Sequence, residues 1–352
     1  MRTISVHASR DYTVSVGPGL LGRVGQTLRP LTKASRAALV CGDRVWPLYG
    51  AVTAASLEAA GFAVCVKVIP HGEEHKTLAT YGELLNFFLE NELTRSDLVV
   101  ALGGGVTGDL AGFAAATYQR GVGFVQLPTT LLAAVDSSVG GKTAIDLPGG
   151  KNQAGAFYQP LAVLCDTDAL STLDETEYRC GCAEVIKYGV LFDRRFFDSL
   201  RSVPVSAQYE DVIAACVAFK RDAVEADEFD RGERRLLNLG HSFGHAVESC
   251  SGFTVRHGEA VAIGMAMIVR AAAERGFCTG ECRDAVVSLL RAYGLPTETD
   301  IPAAGLLAAL KKDKKRGGDT LSLIVPRAVG RCEIVPVALD EAEAWLRDGG
   351  AL

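Results

Sequence analysis

The feature that most restricts the fold of this chain is an alternation. Through the first half, short apolar runs take turns with segments of helical period. Ala37–Cys41 reads as a buried strand closed by Gly42-Asp43, and residues 47–60 as a helix closed by Gly61. Ala63–Ile69 is the next strand, followed by a polar turn from His71 to Lys76 and a helix over roughly 79–91. Asp97–Leu102 is a third strand that runs straight into Gly103-Gly104-Gly105. Strand, helix, strand in this rhythm calls for crossover connections, hence a parallel sheet with helices on its faces. From about residue 175 the helical period takes over. The pattern predicts helices over 176–191, 208–226, 234–250, 257–276, 281–293 and 302–312, and strand character returns at Thr320–Val325. The expectation is an α/β N-terminal domain with a Rossmann-like parallel sheet over 1–174, then a mostly α-helical domain over 175–352. No Pro- or Ser-rich linker parts them, so the active site is expected in the cleft between.

Charge narrows the partners. Lys plus Arg total 36 and Asp plus Glu total 42, so the net charge is 36 − 42 = −6. That balance argues against nucleic acid or an anionic membrane as the main partner, while leaving room for a local basic pocket that takes an anionic small molecule. No apolar run reaches membrane-spanning length. The ten cysteines are scattered with no Cys-x-x-Cys pair, and the first residues carry no apolar signal core. Both point to a reducing, cytoplasmic setting.

The glycine turn carries the first chemical signal. Gly103-Gly104-Gly105-Val106-Thr107-Gly108-Asp109 follows a buried strand and opens a helix. Bare backbone lets a ligand approach, and the helix start presents free N–H groups, which suits a pyrophosphate. A tight strand-to-helix turn would use the same glycines, and the spacing is not G-x-G-x-x-G. Residues Pro128 to Thr143 strengthen the ligand reading, because Thr129, Thr130, Ser137 and Ser138 put hydroxyls into an otherwise apolar stretch flanked by Asp136 and Lys142. A helix capped by Thr129 or Thr130 and ended by Gly140 explains the ends of that stretch, not its charges.

The most informative segment runs from Arg234 to Glu248. On a single helix, Arg234, Asn238, His241, His245 and Glu248 step by 4, 3, 4 and 3 and fall within an arc of roughly 80°. A solvated face favours Lys and Glu, whereas this stripe carries an amide and two imidazoles. His241 and His245, four apart, can serve one metal ion; His257 is a third candidate and Glu184 a carboxylate candidate. Glu184 and Lys187 are three apart on one predicted helix face, a spacing common in plain surface pairs, but their neighbours Val185 and Ile186 favour burial. Nitrogen and oxygen ligands without sulfur fit an open catalytic zinc site.

Taken together the motifs resemble the 3-dehydroquinate synthases of the sugar-phosphate cyclase group. The likeness rests on Pro70–Lys76, residues 103–109, residues 128–143, Gly150-Lys151-Asn152 through Pro160, Ala183–Gly189, Leu237–Ala246, His257–Met265 and Asp313-Lys314-Lys315, in that order. The resemblance implies conversion of 3-deoxy-D-arabino-heptulosonate 7-phosphate to 3-dehydroquinate and phosphate in the shikimate pathway, by an NAD- and metal-dependent lyase that consumes no NAD. Zinc is the first expectation for the divalent metal and cobalt the second, with Glu184, His241 and His257 as ligands and His245 as a proton shuttle instead. Asp43, Glu73, Lys76, Gly104, Gly105, Val106 and Asp109 would line the NAD site, with Thr129, Thr130, Asp136, Lys142, Lys151 and Thr172. Asp136, Lys142, Asn152, Lys187, Lys220, Arg234, Asn238, His245 and Lys314 would meet the sugar-acid phosphate. Arg120 would reach the substrate of a neighbouring subunit in a homodimer.

One position departs from the family pattern. Asp227-Glu228-Phe229-Asp230 ends on Asp230 where the family usually has Glu, one methylene longer. Three other roles share parts of this pattern. An aminocyclitol-type cyclase acts on substrates lacking the carboxylate, whereas Lys220, Arg234 and Asn238 are all present to hold one. A metal-dependent alcohol or glycerol dehydrogenase would not need that set, and an inactive scaffold would not need the ligand triad either.

Overall fold

Arg36–Gly42 and Leu98–Gly103 bury nearly every residue, the pattern of strands covered on both faces. The structure, a computed structural model, describes residues 1–314 and 319–352, apart from the side chains of Asp313 and Lys314. The chain divides into two compact units, Met1–Asp174 with Tyr209–Phe229, and Glu175–Gln208 with Asp230–Leu352.

The first unit is built on a seven-stranded sheet. Its strands are β1 (Arg2–Val6), β2 (Tyr12–Gly17), β3 (Arg36–Gly42), β4 (Ala63–Ile69), β5 (Leu98–Gly103), β6 (Gly123–Pro128) and β9 (Ala162–Asp166), in the order β1-β2-β9-β6-β5-β3-β4. Only the β1–β2 pair is antiparallel. The crossover helices are α1 (Val24–Leu28), α2 (Ala51–Ala59), α3 (Leu78–Glu90) and α4 (Gly105–Thr117). Strand period 2 splits the core into two layers: Leu39, Val100 and Leu102 pack with Leu28 and Leu57 on one face, while Val40, Val99 and Ala101 pack with Leu84, Phe88 and Leu110 on the other. An antiparallel ribbon, β7 (Lys142–Leu147) with β8 (Gly150–Phe157), stands beside the sheet.

In the second unit α5 (Glu175–Phe192) and α6 (Arg194–Ser202) come first. The next helix, α7 (Tyr209–Ala226), belongs to the first unit, where its buried Val212, Ile213, Cys216 and Val217 accompany contacts with β1 and β2. The second unit continues with α8 (His241–Cys250), α9 (His257–Glu274), α10 (Gly280–Ala292), α11 (Ala303–Lys314), the hairpin β10 (Thr320–Ala328) and β11 (Arg331–Ala338), and α12 (Ala342–Asp348). Helix α9 buries residues all round, from Ala260 without a break to Val269, as a central helix must. Among the described residues no helix is long and apolar enough to cross a membrane.

The expected strands β3, β4 and β5 and the helices α3, α5, α7, α9 and α10 lie within about two residues of their predicted ends. One expectation fails. Residues 234–250 are not a single helix: a short 3-10 segment, Glu233–Asn238, is cut off from α8 by Gly240 at φ +79°. The reason is close packing. A Cβ on Gly264 of α9 would stand 2.0 Å from the Gly240 carbonyl oxygen, so the backbone turns tightly there and only glycine takes that φ cheaply.

Candidate active site

In the first unit, β3 lies between β4 and β5, so the chain leaves β3 in one direction and returns on its other side. The crevice beyond the carboxyl ends of β3 and β5 is the switch point where open parallel sheets bind ligands. Gly42-Asp43 and Gly103-Gly104-Gly105 form its floor. Gly104 begins α4 without a side-chain cap, leaving the helix N–H groups to a ligand. A Cβ on Gly104 would meet Thr130 at 3.1 Å, and one on Gly105 would meet Ser137 at 3.1 Å. Thr129 donates its backbone N–H to Gly103 O at 3.0 Å, and its buried Oγ1 has no hydrogen-bond partner among the described residues. Bare floor, free helix start and an orphaned hydroxyl fit a dinucleotide pyrophosphate and ribose.

A polar cluster adjoins this turn in the α4–β8 region. Lys76 Nζ reaches Asp109 Oδ2 at 2.6 Å and Asn152 Oδ1 at 2.5 Å, and Lys151 Nζ lies 3.8 Å from Glu73 Oε1. Burial alone would lower the pKa of the Lys76 ammonium, but Asp109 and Glu73 outweigh it and raise it. Asp146, which the sequence did not single out, accepts the Asn152 N–H at 2.7 Å and holds that residue at φ +54°. Its signal was faint: an acid four residues past Lys142, ahead of a Gly-Gly turn. Elsewhere in the unit, Lys220 of α7 makes an ion pair with Asp136 and donates to its carbonyl at 2.6 Å. Asp43 is tied to His71 Nδ1 at 2.9 Å, Thr172 to Tyr49 at 2.7 Å, and Lys142 is exposed at the start of β7. Val106 lies partly buried in the first turn of α4, and Arg120 is exposed on a turn at φ +64°.

In the second unit three helices bring one residue each to a point. Glu184 of α5 is fully buried, and both His241 Nε2 at the start of α8 and His257 Nε2 at the start of α9 face its Oε1, at 3.6 and 3.5 Å. Four-coordinate zinc with bonds of ~2.0–2.1 Å has ligand atoms about 3.4 Å apart, so these separations are nearly those of a ligand set. The three offer ligand atoms all within 4.8 Å of one another. Burial, then the charge of Lys187, pulls the His241 imidazole down to about 3, keeping it in the neutral form a metal takes. Burial also depresses His257, but Glu184 and Glu248 overcome it and raise it to about 9. The spacing of one buried carboxylate and two imidazoles fits a divalent ion, whose charge would displace the proton that Glu184 and Glu248 draw to His257. Lys187, buried on α5, pairs with Glu184, which gives that charge a partner out of water.

Of the remaining expected residues of this unit, Arg234 is buried on the 3-10 segment, whereas Asn238 and His245 are exposed. His245 lies with its ring 5.5 Å from that of His241. Lys314 ends α11 and its side chain, like Lys315, lies outside the described residues.

A model of the 3-dehydroquinate synthase N-terminal region matches residues 66–180, and a model of the 3-dehydroquinate synthase C-terminal region matches residues 181–316. A protein of Geobacter metallireducens named 3-dehydroquinate synthase is 46% identical over 344 residues, 95% of this chain and 96% of that one. A 2-deoxy-scyllo-inosose synthase solved with carbaglucose-6-phosphate, NAD+ and Co2+ superposes with a TM-score of 0.89 at 27% identity, covering 99% of this chain and 100% of that one. A 2-epi-5-epi-valiolone synthase of Streptomyces hygroscopicus subsp. jinggangensis, solved with NAD+ and Zn2+, gives 0.88 at 29% identity with 98% of each chain covered. With both family models filling most of its length and such a relative nearly end to end, the chain belongs to the 3-dehydroquinate synthase family.

Proposed function

We propose that the chain is an NAD- and divalent-metal-dependent 3-dehydroquinate synthase, converting 3-deoxy-D-arabino-heptulosonate 7-phosphate to 3-dehydroquinate and inorganic phosphate. The observation that carries this is the convergence of Glu184, His241 and His257 on one point beside the buried Lys187. When bound, the metal supplies a Lewis acid for the substrate's hydroxyl oxygens and the nicotinamide a reversible hydride acceptor.

The chain's own residues take the remaining tasks. Glu184, His241 and His257 hold the metal. Gly104, Gly105, Val106 and the start of α4 receive the pyrophosphate of NAD. Asp43, Glu73, Lys76, Asp109, Thr129, Thr130, Asp136, Lys142, Lys151 and Thr172 complete that assignment. Asp136, Lys142, Asn152, Lys187, Lys220, Arg234, Asn238, His245 and Lys314 are assigned to the substrate. Charge-assisted hydrogen bonds from Lys142, Lys220, Arg234 and Lys314 to phosphate and carboxylate fix a flexible seven-carbon molecule, which supplies positioning through several steps. His245, exposed and adjacent to the His241 ring, moves a proton at its imidazole. Lys220, Arg234 and Asn238 favour a substrate with a carboxylate over the carboxylate-free sugar phosphates of other cyclases.

The same reading includes a cytoplasmic homodimer in which Arg120 serves the neighbouring subunit. The ten free thiols suit a reducing compartment. Light scattering on the purified chain gives the dimer mass if this is right and the monomer mass if it is wrong.

The deciding experiment incubates the purified chain with zinc, NAD and the heptulosonate phosphate. The conversion is redox-neutral, so phosphate is expected over many turnovers with no build-up of NADH at 340 nm. NADH formed in step with substrate would assign the chain to dehydrogenase chemistry instead.

A further inference from the structure

We infer that Glu248 is a positioning residue for the metal centre: its carboxylate holds the outer nitrogen of His257 so that the inner nitrogen faces the ion. This rests on the reading of Glu184, His241 and His257 as metal ligands.

An imidazole that gives one nitrogen to a metal keeps its proton on the other, and that N–H needs an acceptor. His241 has one, because its Nδ1 lies 3.1 Å from the Leu239 carbonyl oxygen while Nε2 faces Glu184. His257 is arranged the same way with a different acceptor. Its Nε2 lies 3.5 Å from Glu184 Oε1, and its Nδ1 lies 3.5 Å from Glu248 Oε1. Glu248 is only 3% exposed, an unusual place for a carboxylate unless it has work to do there. It sits seven residues, two helical turns, after His241, so α8 presents a ligand and the outer partner of another ligand on one face. The partner on His241 is a neutral carbonyl, whereas the one on His257 carries a full charge. An anionic outer partner makes the imidazole a stronger donor and draws a cation. His257 is therefore the better donor of the two imidazoles.

The geometry also contains a competing arrangement, since His245, Glu248 and His257 could together hold an ion through Glu248 itself. The positioning role is favoured because the Glu184 group has a fully buried carboxylate with a lysine to balance it.

The test measures zinc affinity of the full-length chain by competition with a chromophoric chelator, and follows the visible absorption of the cobalt-substituted form. Glu248→Gln keeps the shape and an acceptor oxygen but loses the charge, and about a tenfold loss of affinity is expected; Glu248→Ala loses both and about a hundredfold is expected. In both variants the cobalt bands shift while NAD affinity, reading the first unit, stays unchanged. If Glu248→Ala does not fold, Glu248→Gln carries the test. Wild-type zinc affinity in Glu248→Gln with an unshifted cobalt spectrum overturns the inference. So does zinc binding that is lost in His245→Ala and retained in His241→Ala, which would make Glu248 a ligand. Failure of the underlying reading looks different: Glu184→Gln and His241→Ala would both bind zinc as the wild type does.

Discussion

Gly258 is the point where a single methyl group should dismantle the metal centre without touching a ligand. It follows His257 at the start of α9, against the backbone of α5, the helix that carries Glu184. A Cβ at Gly258 would stand 2.3 Å from Cys180 Cα and 2.4 Å from Cys180 O. Both are main-chain atoms, so no side chain can swing aside. Ordinary contact begins at 3.4 Å, and 3.4 − 2.3 leaves about 1.1 Å to be opened between the helices. His257 moves with the first turn of α9. If the shift adds fully, the 3.5 Å between His257 Nε2 and Glu184 Oε1 becomes about 4.6 Å. Metal–ligand distances tolerate about 0.2 Å, so His257 is lost as a ligand. Gly258→Ala is then expected to weaken zinc binding at least about 100-fold, the upper cost of disturbing an outer partner alone. The overpacking should lower stability by ~1–3 kcal/mol. Chelator competition gives the first quantity and urea unfolding the second, while NAD affinity should be retained. Gly82→Ala on α3, with nothing within 4 Å of the added methyl, is the control and should leave zinc affinity unchanged. Gly258→Ala binding zinc within twofold of the wild type would mean that α9 and α5 take up the methyl without moving His257.

Three further outcomes follow from the same geometry. Gly104→Ala should weaken NAD roughly tenfold, about 1.4 kcal/mol, with zinc affinity unchanged, because the methyl meets Thr130 and fills the phosphate floor; calorimetric titration measures both. Arg234→Ala should cut kcat/KM for the heptulosonate phosphate by about 100-fold or more and for a carboxylate-free analogue far less; equal losses in steady-state assays would remove the basis for carboxylate recognition. Asp97 accepts from Arg36 N at 2.9 Å, from Thr94 N and Oγ1 at 2.8 Å each and from Ser35 Oγ at 3.3 Å, and although burial opposes it, these bonds hold its pKa below the usual carboxylate range. A lowered folded pKa gives stability that is complete above the unfolded value of about 3.9 and is lost as pH falls through the folded one. Asp97→Asn should therefore cost about 2 kcal/mol at pH 7 in urea unfolding, and the cost should shrink below about pH 4.

Much of the first unit was legible because its strands are buried on both faces and end on glycine or polar turns, as Ala37–Cys41 and Asp97–Leu102 do. The β7–β8 ribbon was not, since its exposed and half-buried residues leave no clean alternation to mark the strand that carries Lys151 and Asn152. The membership of α7 was equally hidden: its sequence lies among second-unit helices, but its apolar face is spent on β1 and β2, a contact no local period reveals. In the candidate site the residue types were readable and the partners were not. Periodicity aligned His241 with His245 on one continuous helix, yet the structure sets His241 toward Glu184 and His257, each on a different helix. The break at Gly240 depends on the approach of Gly264, twenty-four residues on, and so escapes any reading of neighbours in sequence. Glu248 was visible as the end of the polar stripe, but its contact with His257 Nδ1 needs the α8–α9 packing.

The most direct test is anomalous diffraction at the zinc edge from crystals of the zinc-loaded chain. One strong peak is predicted about 2 Å from Glu184 Oε1, His241 Nε2 and His257 Nε2 together. A peak seated on His245 and Glu248, or a zinc-loaded crystal with those three side chains bare, would contradict the account.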